Sequence, residues 1–336
     1  MKRILLLALV VVAALTTAWY VTQPKTDKVV VAYVFRTDVP VDPSLFTHIN
    51  YAFGHVTDSF DSVRIGNPDG FRQVVDLKKQ NKKLKVLLSI GGWGSGNFSE
   101  MAASDSLRGK FAQACLDIVE EYGIDGIDID WEYPTVAAAG ISASPDDTRN
   151  FTLLMRDLRN VLGKDRLLTL ATPASAKHFD FKAFLQYVDF VNIMAYDMAV
   201  VPNHHAAMHS ADTTMMTVER AVDAHLAAGV PADQLVLGLP FYGKGTLNKP
   251  RESSIEKVKA DSVLTEQWND EGQYALLTDS LGTVVYTFDN ARSLAVKCQY
   301  ALERGLRGAM YWEASCDDAN HTFARTVWNE IMGDNR

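Results

Sequence analysis

From about residue 28 onward the chain alternates short, nearly unbroken apolar runs with longer segments whose apolar positions recur at helical spacing. The runs are rich in valine, isoleucine and leucine. That is the signature of strands buried on both faces, since a strand open to water on one side alternates apolar and polar side chains. They predict strands at 29–35, 47–54, 84–90, 124–131, 167–173, 188–195, 234–239 and 306–312. The intervening periodicity predicts helices at 70–80, 106–122, 148–162, 181–187, 214–228 and 290–304. Asn290 stands where a helix N-cap belongs, and Gly305 closes that helix ahead of the last strand. No low-complexity linker breaks the alternation, so residues 23–336 read as a single domain. This pattern predicts an α/β fold, a (β/α)8 TIM barrel of parallel strands enclosed by helices.

The fourth strand departs from the apolar rule. Asp125-Gly126-Ile127-Asp128-Ile129-Asp130-Trp131-Glu132-Tyr133-Pro134 places four carboxylates within eight residues, interleaved with glycine, isoleucine and tryptophan. Successive side chains of a strand point to opposite faces, which puts Asp128, Asp130 and Glu132 on one wall and Ile127, Ile129 and Trp131 on the other. Burying several unpaired negative charges together is costly, so a proton is expected to be held among the acids. A carboxyl kept protonated near neutral pH is what a general acid requires. Gly126 tolerates a close backbone approach, and Tyr133-Pro134 ends the strand where a loop begins.

The pattern Asp125-x-x-Asp128-x-Asp130-x-Glu132 resembles the signature of glycoside hydrolase family 18, the chitinase-like TIM-barrel glycosidases, as carried on their fourth strand. The resemblance implies that Glu132 is the proton donor to the glycosidic oxygen, that Asp130 orients and charges the acetamido group of the substrate, and that Asp128 supports Asp130 from below. The family works by substrate assistance rather than with two carboxylates flanking the bond. The sugar's own N-acetyl oxygen then serves as nucleophile, and one acid at the bond suffices.

Catalytic side chains of such barrels lie at the C-terminal ends of the strands. Strand three ends Ser89-Ile90-Gly91-Gly92-Trp93 and strand six ends Met194-Ala195-Tyr196-Asp197, similar to the family's Ser-x-Gly-Gly and Met-x-Tyr-Asp elements. By that likeness the Tyr196 hydroxyl bonds the acetamido oxygen, and Asp197 contacts the sugar near the scissile bond. Strands seven and eight end Leu239-Pro240-Phe241-Tyr242-Gly243 and Met310-Tyr311-Trp312-Glu313, also similar to the family. The implied role of Trp312 is a flat apolar floor, because aromatic rings stack on the CH-rich face of a pyranose. Tyr33, Phe53 and Trp93 fall at other strand ends, where they suit a groove for an extended sugar. The expected catalytic set is thus Glu132, Asp130, Asp128 and Tyr196. The expected substrate contacts are Trp312, Asp197, Met194, Tyr33, Phe53, Gly92, Trp93 and Tyr242.

The resemblance covers about residues 29–330, and its departures bear on substrate choice. Many members carry a sizeable α+β insertion after strand seven, whereas residues 246–285 leave room only for a short one. Gln267, in Glu266-Gln267-Trp268-Asn269-Asp270, stands where relatives often have an arginine, so a charged contact to substrate is expected to be missing. A shallower cleft follows. Asn203-His204-His205 reads as a solvated loop segment without metal-ligand spacing.

Composition adds boundaries. A chain of 336 residues that is 47% hydrophobic is long enough for a barrel of about 250 residues with insertions. A net charge of -8 supplies no basic footprint for nucleic acid, and a neutral polysaccharide needs no charge complement. Met1-Lys2-Arg3, the apolar run 4–15 and Thr16-Thr17-Ala18 have the zones of a secretory signal within residues 1–22. Because Trp19, Tyr20 and Val21 extend the apolar stretch, membrane anchoring through residues 4–21 is the alternative to a secreted or periplasmic location. Cys115, Cys298 and Cys316 are odd in number and lack metal spacing, which suits small buried apolar residues. No metal and no cofactor is expected. The chain is expected to be a monomer acting on an N-acetylglucosamine oligo- or polysaccharide such as chitin, as a retaining glycosidase. The alternatives are an endo-β-N-acetylglucosaminidase acting on the N-glycan core or on peptidoglycan-type chains, and a non-catalytic chitin-binding lectin on the same barrel.

Overall fold

The computed structural model describes residues 27–246 and 263–333, so the proposed N-terminal signal or anchor lies outside the described residues. Eight parallel strands form the barrel: β1 Val29–Val34, β2 His48–Val56, β4 Lys85–Gly91, β5 Gly126–Asp130, β6 Leu167–Pro173, β7 Phe190–Met194, β8 Leu235–Pro240 and β13 Gly308–Trp312. Each pairs with its neighbours in that order, and β1 closes the ring by pairing with both β2 and β13. The expected (β/α)8 barrel is therefore present, with each strand within a few residues of its expected position.

The two faces of each strand explain the apolar runs. Val29, Val31 and Tyr33 of β1 point into the barrel with Ala171, Phe190 and Met310, whereas Val30, Ala32 and Val34 join the layer between strands and helices. In β5 the outward face is Ile127 and Ile129, continued by Trp131, which is 1% exposed and stacks on Phe98 at 5.3 Å and 13°. Alternation then forces Asp128 and Asp130 inward. The helices begin and end where local chemistry dictates. Ser104 caps Asp105–Tyr122 by accepting from the Leu107 amide, and Gly123 leaves that helix at φ 65. Asn290 and Ser293 form a capping box at the start of Ala291–Glu303, as the sequence led us to expect of Asn290.

Several elements were not expected. A short strand, β3 (Val63–Ile65), extends β2 as an antiparallel hairpin outside the barrel ring. Two further helices, Phe98–Ala103 and Thr322–Met332, pack on the barrel. The insertion expected after β8 contains, among the described residues, a separate antiparallel sheet ordered β10-β11-β12-β9, formed by Thr265–Asn269, Tyr274–Thr278, Val284–Phe288 and Lys244–Gly245. The cysteines are free and buried, in line with their reading as small apolar residues.

Asp125, at the mouth of β5 opposite the catalytic end, is an anchor. It meets Lys78 Nζ at 2.7 Å and Lys85 Nζ at 3.1 Å, and accepts from the Val86 amide at 2.9 Å. Burial raises its pKa, but its bonds to Lys78, Val86 and Lys85 outweigh that and leave it lowered. A depressed pKa contributes stability above the unfolded carboxylate value of about 3.9, and that stability is lost as pH falls through the folded value. Asp125→Asn is expected to cost about 1 kcal/mol at pH 7, a modest figure because both lysines reach water. The deficit shrinks in acid, which urea midpoints at pH 7 and pH 3 measure.

Candidate active site

The C-terminal ends of the strands enclose a cavity of about 360 Å³. Its chemistry starts one layer below. Asp128 is fully buried and accepts hydrogen bonds from Tyr33 Oη at 2.8 Å, Ser89 Oγ at 2.8 Å, Thr169 Oγ1 at 2.6 Å and Asn192 Nδ2 at 3.3 Å. Those donors come from β1, β4, β6 and β7, so closure of the barrel is what brings them together. Burial raises the Asp128 pKa while the four bonds oppose it. Four donors around one carboxyl group suit its acceptor-only, ionised form.

Asp130 is 4% exposed, and its Oδ1 has no hydrogen-bond partner in the structure. Burial pushes its pKa well above the usual carboxylate range, and the charges of Glu132 and then Asp128 push it further. The crowding of acids therefore favours a proton shared between Asp130 and Glu132. Regular strand pairing stops at Asp130, yet the half-buried Glu132 lines the same cavity beside it. The alternation outlasts the strand.

Space for this row comes from the adjacent glycines. A Cβ on Gly91 would lie 1.9 Å from the Asp130 carbonyl oxygen, and one on Gly92 would lie 2.7 Å from the Phe53 ring. The Gly92 amide donates to that same carbonyl at 2.9 Å. A side chain at either position would push the wall away from the acids.

Aromatic rings form one side of the cavity. Trp312 stacks with Phe53 at 5.5 Å and 21°, and lies 5.9 Å from Tyr33. Trp93 stands at the rim, 58% exposed. Met194, Tyr196, Asp197 and Tyr242 also line it. Burial raises the Tyr196 pKa well above its ordinary value, with smaller contributions from Asp130 and Glu132, which keeps its hydroxyl a hydrogen-bond donor. Tyr242 Oη donates to Asp197 Oδ1 at 2.6 Å, and Lys244 Nζ pairs with the same oxygen at 2.7 Å. Every expected site residue therefore lines the cavity except Asp128, which lies beneath it.

One expectation needs correction. His204 and His205 are not solvated: they are 1% and 0% exposed, packed against Tyr274 and Tyr242. Gln267, where a charged substrate contact was expected to be missing, donates its Nε2 to Thr278 Oγ1 at 3.1 Å across the insertion sheet and is not among the residues lining the cavity. Phe35, His55 and Tyr133 line the cavity without having been singled out. Thr169 and Asn192 were missed as well, although each is a lone polar residue on the inward face of an apolar barrel strand, which is the signal that marks them. Among the described residues no group of three or more His, Cys, Asp or Glu side chains is arranged to hold a metal ion.

Comparison with known proteins places this geometry among relatives. The profile of glycosyl hydrolases family 18 matches residues 13–317. Chitinase A1 of Niallia circulans is 33% identical over 327 residues, covering 82% of this chain, and the chain spans 46% of that protein's length. A family 18 N-acetylglucosaminidase from Paenibacillus barengoltzii superposes with a TM-score of 0.82 at 31% identity, over 91% of this chain and 100% of the other. The Group IV chitinase of Ostrinia furnacalis, solved in complex with allosamidin, gives a TM-score of 0.82 at 28% identity, over 92% and 99% of the two chains.

Proposed function

Since the chain belongs to glycosyl hydrolases family 18, we propose that it is a chitinase-type retaining glycosidase that hydrolyses β-1,4 bonds of N-acetylglucosamine-containing glycans with assistance from the substrate's own acetamido group. One observation carries this reading: a row of acids rising from the buried Asp128 through Asp130 to Glu132 at the floor of a cavity that Trp312, Phe53 and Tyr33 also line. In the first step the proton shared by the pair stands on Glu132, leaving Asp130 ionised, and Glu132 gives it to the glycosidic oxygen as that oxygen leaves C1. The acetamido carbonyl oxygen closes on C1 from the other face, forming a cyclic oxazolinium ion. The positive charge that develops on the acetamido nitrogen is met by the Asp130 carboxyl, and the Tyr196 hydroxyl donates to the acetamido oxygen. Water then attacks C1, and Glu132 takes its proton back. Two displacements at C1 retain the configuration.

Trp312, with Phe53 beside it, offers the floor on which the reacting sugar stacks. Asp197 and Tyr242, bonded to each other, add polar groups to the cleft lining. The combination of similarity to an N-acetylglucosaminidase and to chitinases supports N-acetylglucosamine as the unit next to the cut bond. Export is the matching location for an enzyme acting on an insoluble glycan, through the N-terminal segment already noted.

A product profile on chitooligosaccharides, an N-glycan and peptidoglycan, run in parallel, tests the proposal. The expected result is cleavage of chitooligosaccharides with a first product of retained anomeric configuration by NMR, and no action on cellulose, which lacks the acetamido nucleophile. An inverted product or cellulose cleavage excludes the mechanism; preferential cutting of the N-glycan or peptidoglycan selects the second substrate class, and binding without turnover selects a lectin.

A further inference from the structure

Asp197 stands just beyond β7 with φ 58, in the left-handed region that is uncommon for non-glycine residues though more accessible to Asp than to most. Its carboxylate is held by Tyr242 and Lys244, as described above. Its backbone is held by His205. The Asp197 amide donates to His205 Nδ1 at 3.3 Å, and the Met198 amide donates to the His205 carbonyl at 2.9 Å. The His205 ring also packs on Tyr242 with centroids 5.0 Å apart, so one imidazole touches both Asp197 and the tyrosine that bonds it.

The ring is neutral, since burial lowers its pKa to about 3. Nδ1 lies 3.3 Å from the Asp197 amide and 3.5 Å from Asp197 Oδ1, and accepting the amide assigns the proton to Nε2. His204 stacks behind at 5.1 Å and 22°, accepts the Ala206 amide on its own Nδ1 at 2.8 Å, and turns Nε2 toward Asp289 Oδ1 at 4.0 Å. Asp289 is paired with Lys297, and both side chains are fully buried. A polar stack thus runs from the helix Ala291–Glu303 to the edge of the cleft. Burying two imidazoles and an ion pair is costly beside an apolar filling of the same volume.

We propose that His205 is a positioning residue for Asp197: by accepting its amide, it fixes the left-handed backbone that presents the Asp197 carboxylate to the substrate at the reacting sugar. The proposal rests on the glycosidase reading above. His204 and the Asp289–Lys297 pair set the position of the His205 ring.

Isosteric variants test it, because the Asn oxygen overlies Nδ1 whereas the Gln amide reaches the Nε2 position. His205→Asn is expected to keep kcat on a chitooligosaccharide within about threefold of the unaltered enzyme. His205→Gln is expected to lose about tenfold or more, mostly in kcat rather than KM, and to add nothing in an Asp197→Ala background. Hydrogen exchange over residues 195–199, read by mass spectrometry, is expected to quicken in His205→Gln and not in His205→Asn. Equal impairment of the two variants, multiplying losses in the Asp197→Ala background, or unchanged exchange in His205→Gln overturns the proposal. If the unaltered chain turns over no chitooligosaccharide, the glycosidase reading fails, while the exchange measurement still decides whether His205 holds Asp197.

Discussion

Glu132→Gln is expected to lower turnover of a chitooligosaccharide by about 10³–10⁴-fold while leaving the dissociation constant within about threefold. Glutamine keeps the shape and the polar contacts of the glutamate but carries no transferable proton, so the leaving oxygen departs as an alkoxide. The loss therefore depends on the leaving group. With an aryl glycoside, whose phenolate leaves unaided, the deficit shrinks by one to two orders of magnitude, because donation is no longer the difficult event. Steady-state kinetics on the two substrates, with binding measured by calorimetry on the inactive variant, checks both parts. A Glu132→Gln protein that hydrolyses the oligosaccharide at a near-normal rate removes Glu132 from the proposed role.

Asp130→Asn separates activity from stability. Turnover is expected to fall by about 10²–10³-fold, because a neutral amide cannot meet the charge that builds on the acetamido group. Stability should move the other way. Asp130 has a raised pKa in the folded protein, so the fold retains a proton that the unfolded chain releases near pH 4. Its contribution to stability is therefore fully present below the unfolded value and is lost as pH rises through the folded one. Asparagine carries no such dependence. The variant is expected to melt a few degrees higher than the unaltered protein at pH 8 and to gain nothing at pH 4, as thermal unfolding at the two pH values would show. A lower melting temperature at pH 8 would mean that Asp130 is held by interactions worth more than its proton. The site belongs to the class in which stability is given up for function.

The barrel was legible because its strands are buried on both faces, and that produces uninterrupted apolar runs. The elements that escaped have weaker patterns. Phe98–Ala103 is six residues long, too short for helical periodicity to accumulate, and β10 leaves Thr265, Glu266 and Gln267 exposed with no alternation to announce a strand. The site divides in the same way. Asp128, Asp130 and Glu132 belong to one local run, and Tyr196, Asp197 and Trp312 each close a strand, so proximity along the chain revealed them. The donors to Asp128 come from four strands, and only barrel register makes them neighbours. His204 and His205 were misread for a related reason. Two adjacent histidines in a loop suggest water, and nothing local reports that Tyr242, Tyr274 and the Asp289–Lys297 pair, far along the chain, would cover them.

The insertion sheet shares no strand with the barrel. Hydrogen bonding around the ring is complete without it, so the spacing of Asp128 and Asp130 is set by the pleat of the barrel strands. The two parts can accordingly change at different speeds. Apart from Tyr274, which packs on His204, the segment between β9 and β12 is a natural place to graft length, charge or aromatic rings from a relative while the barrel strands stay in register.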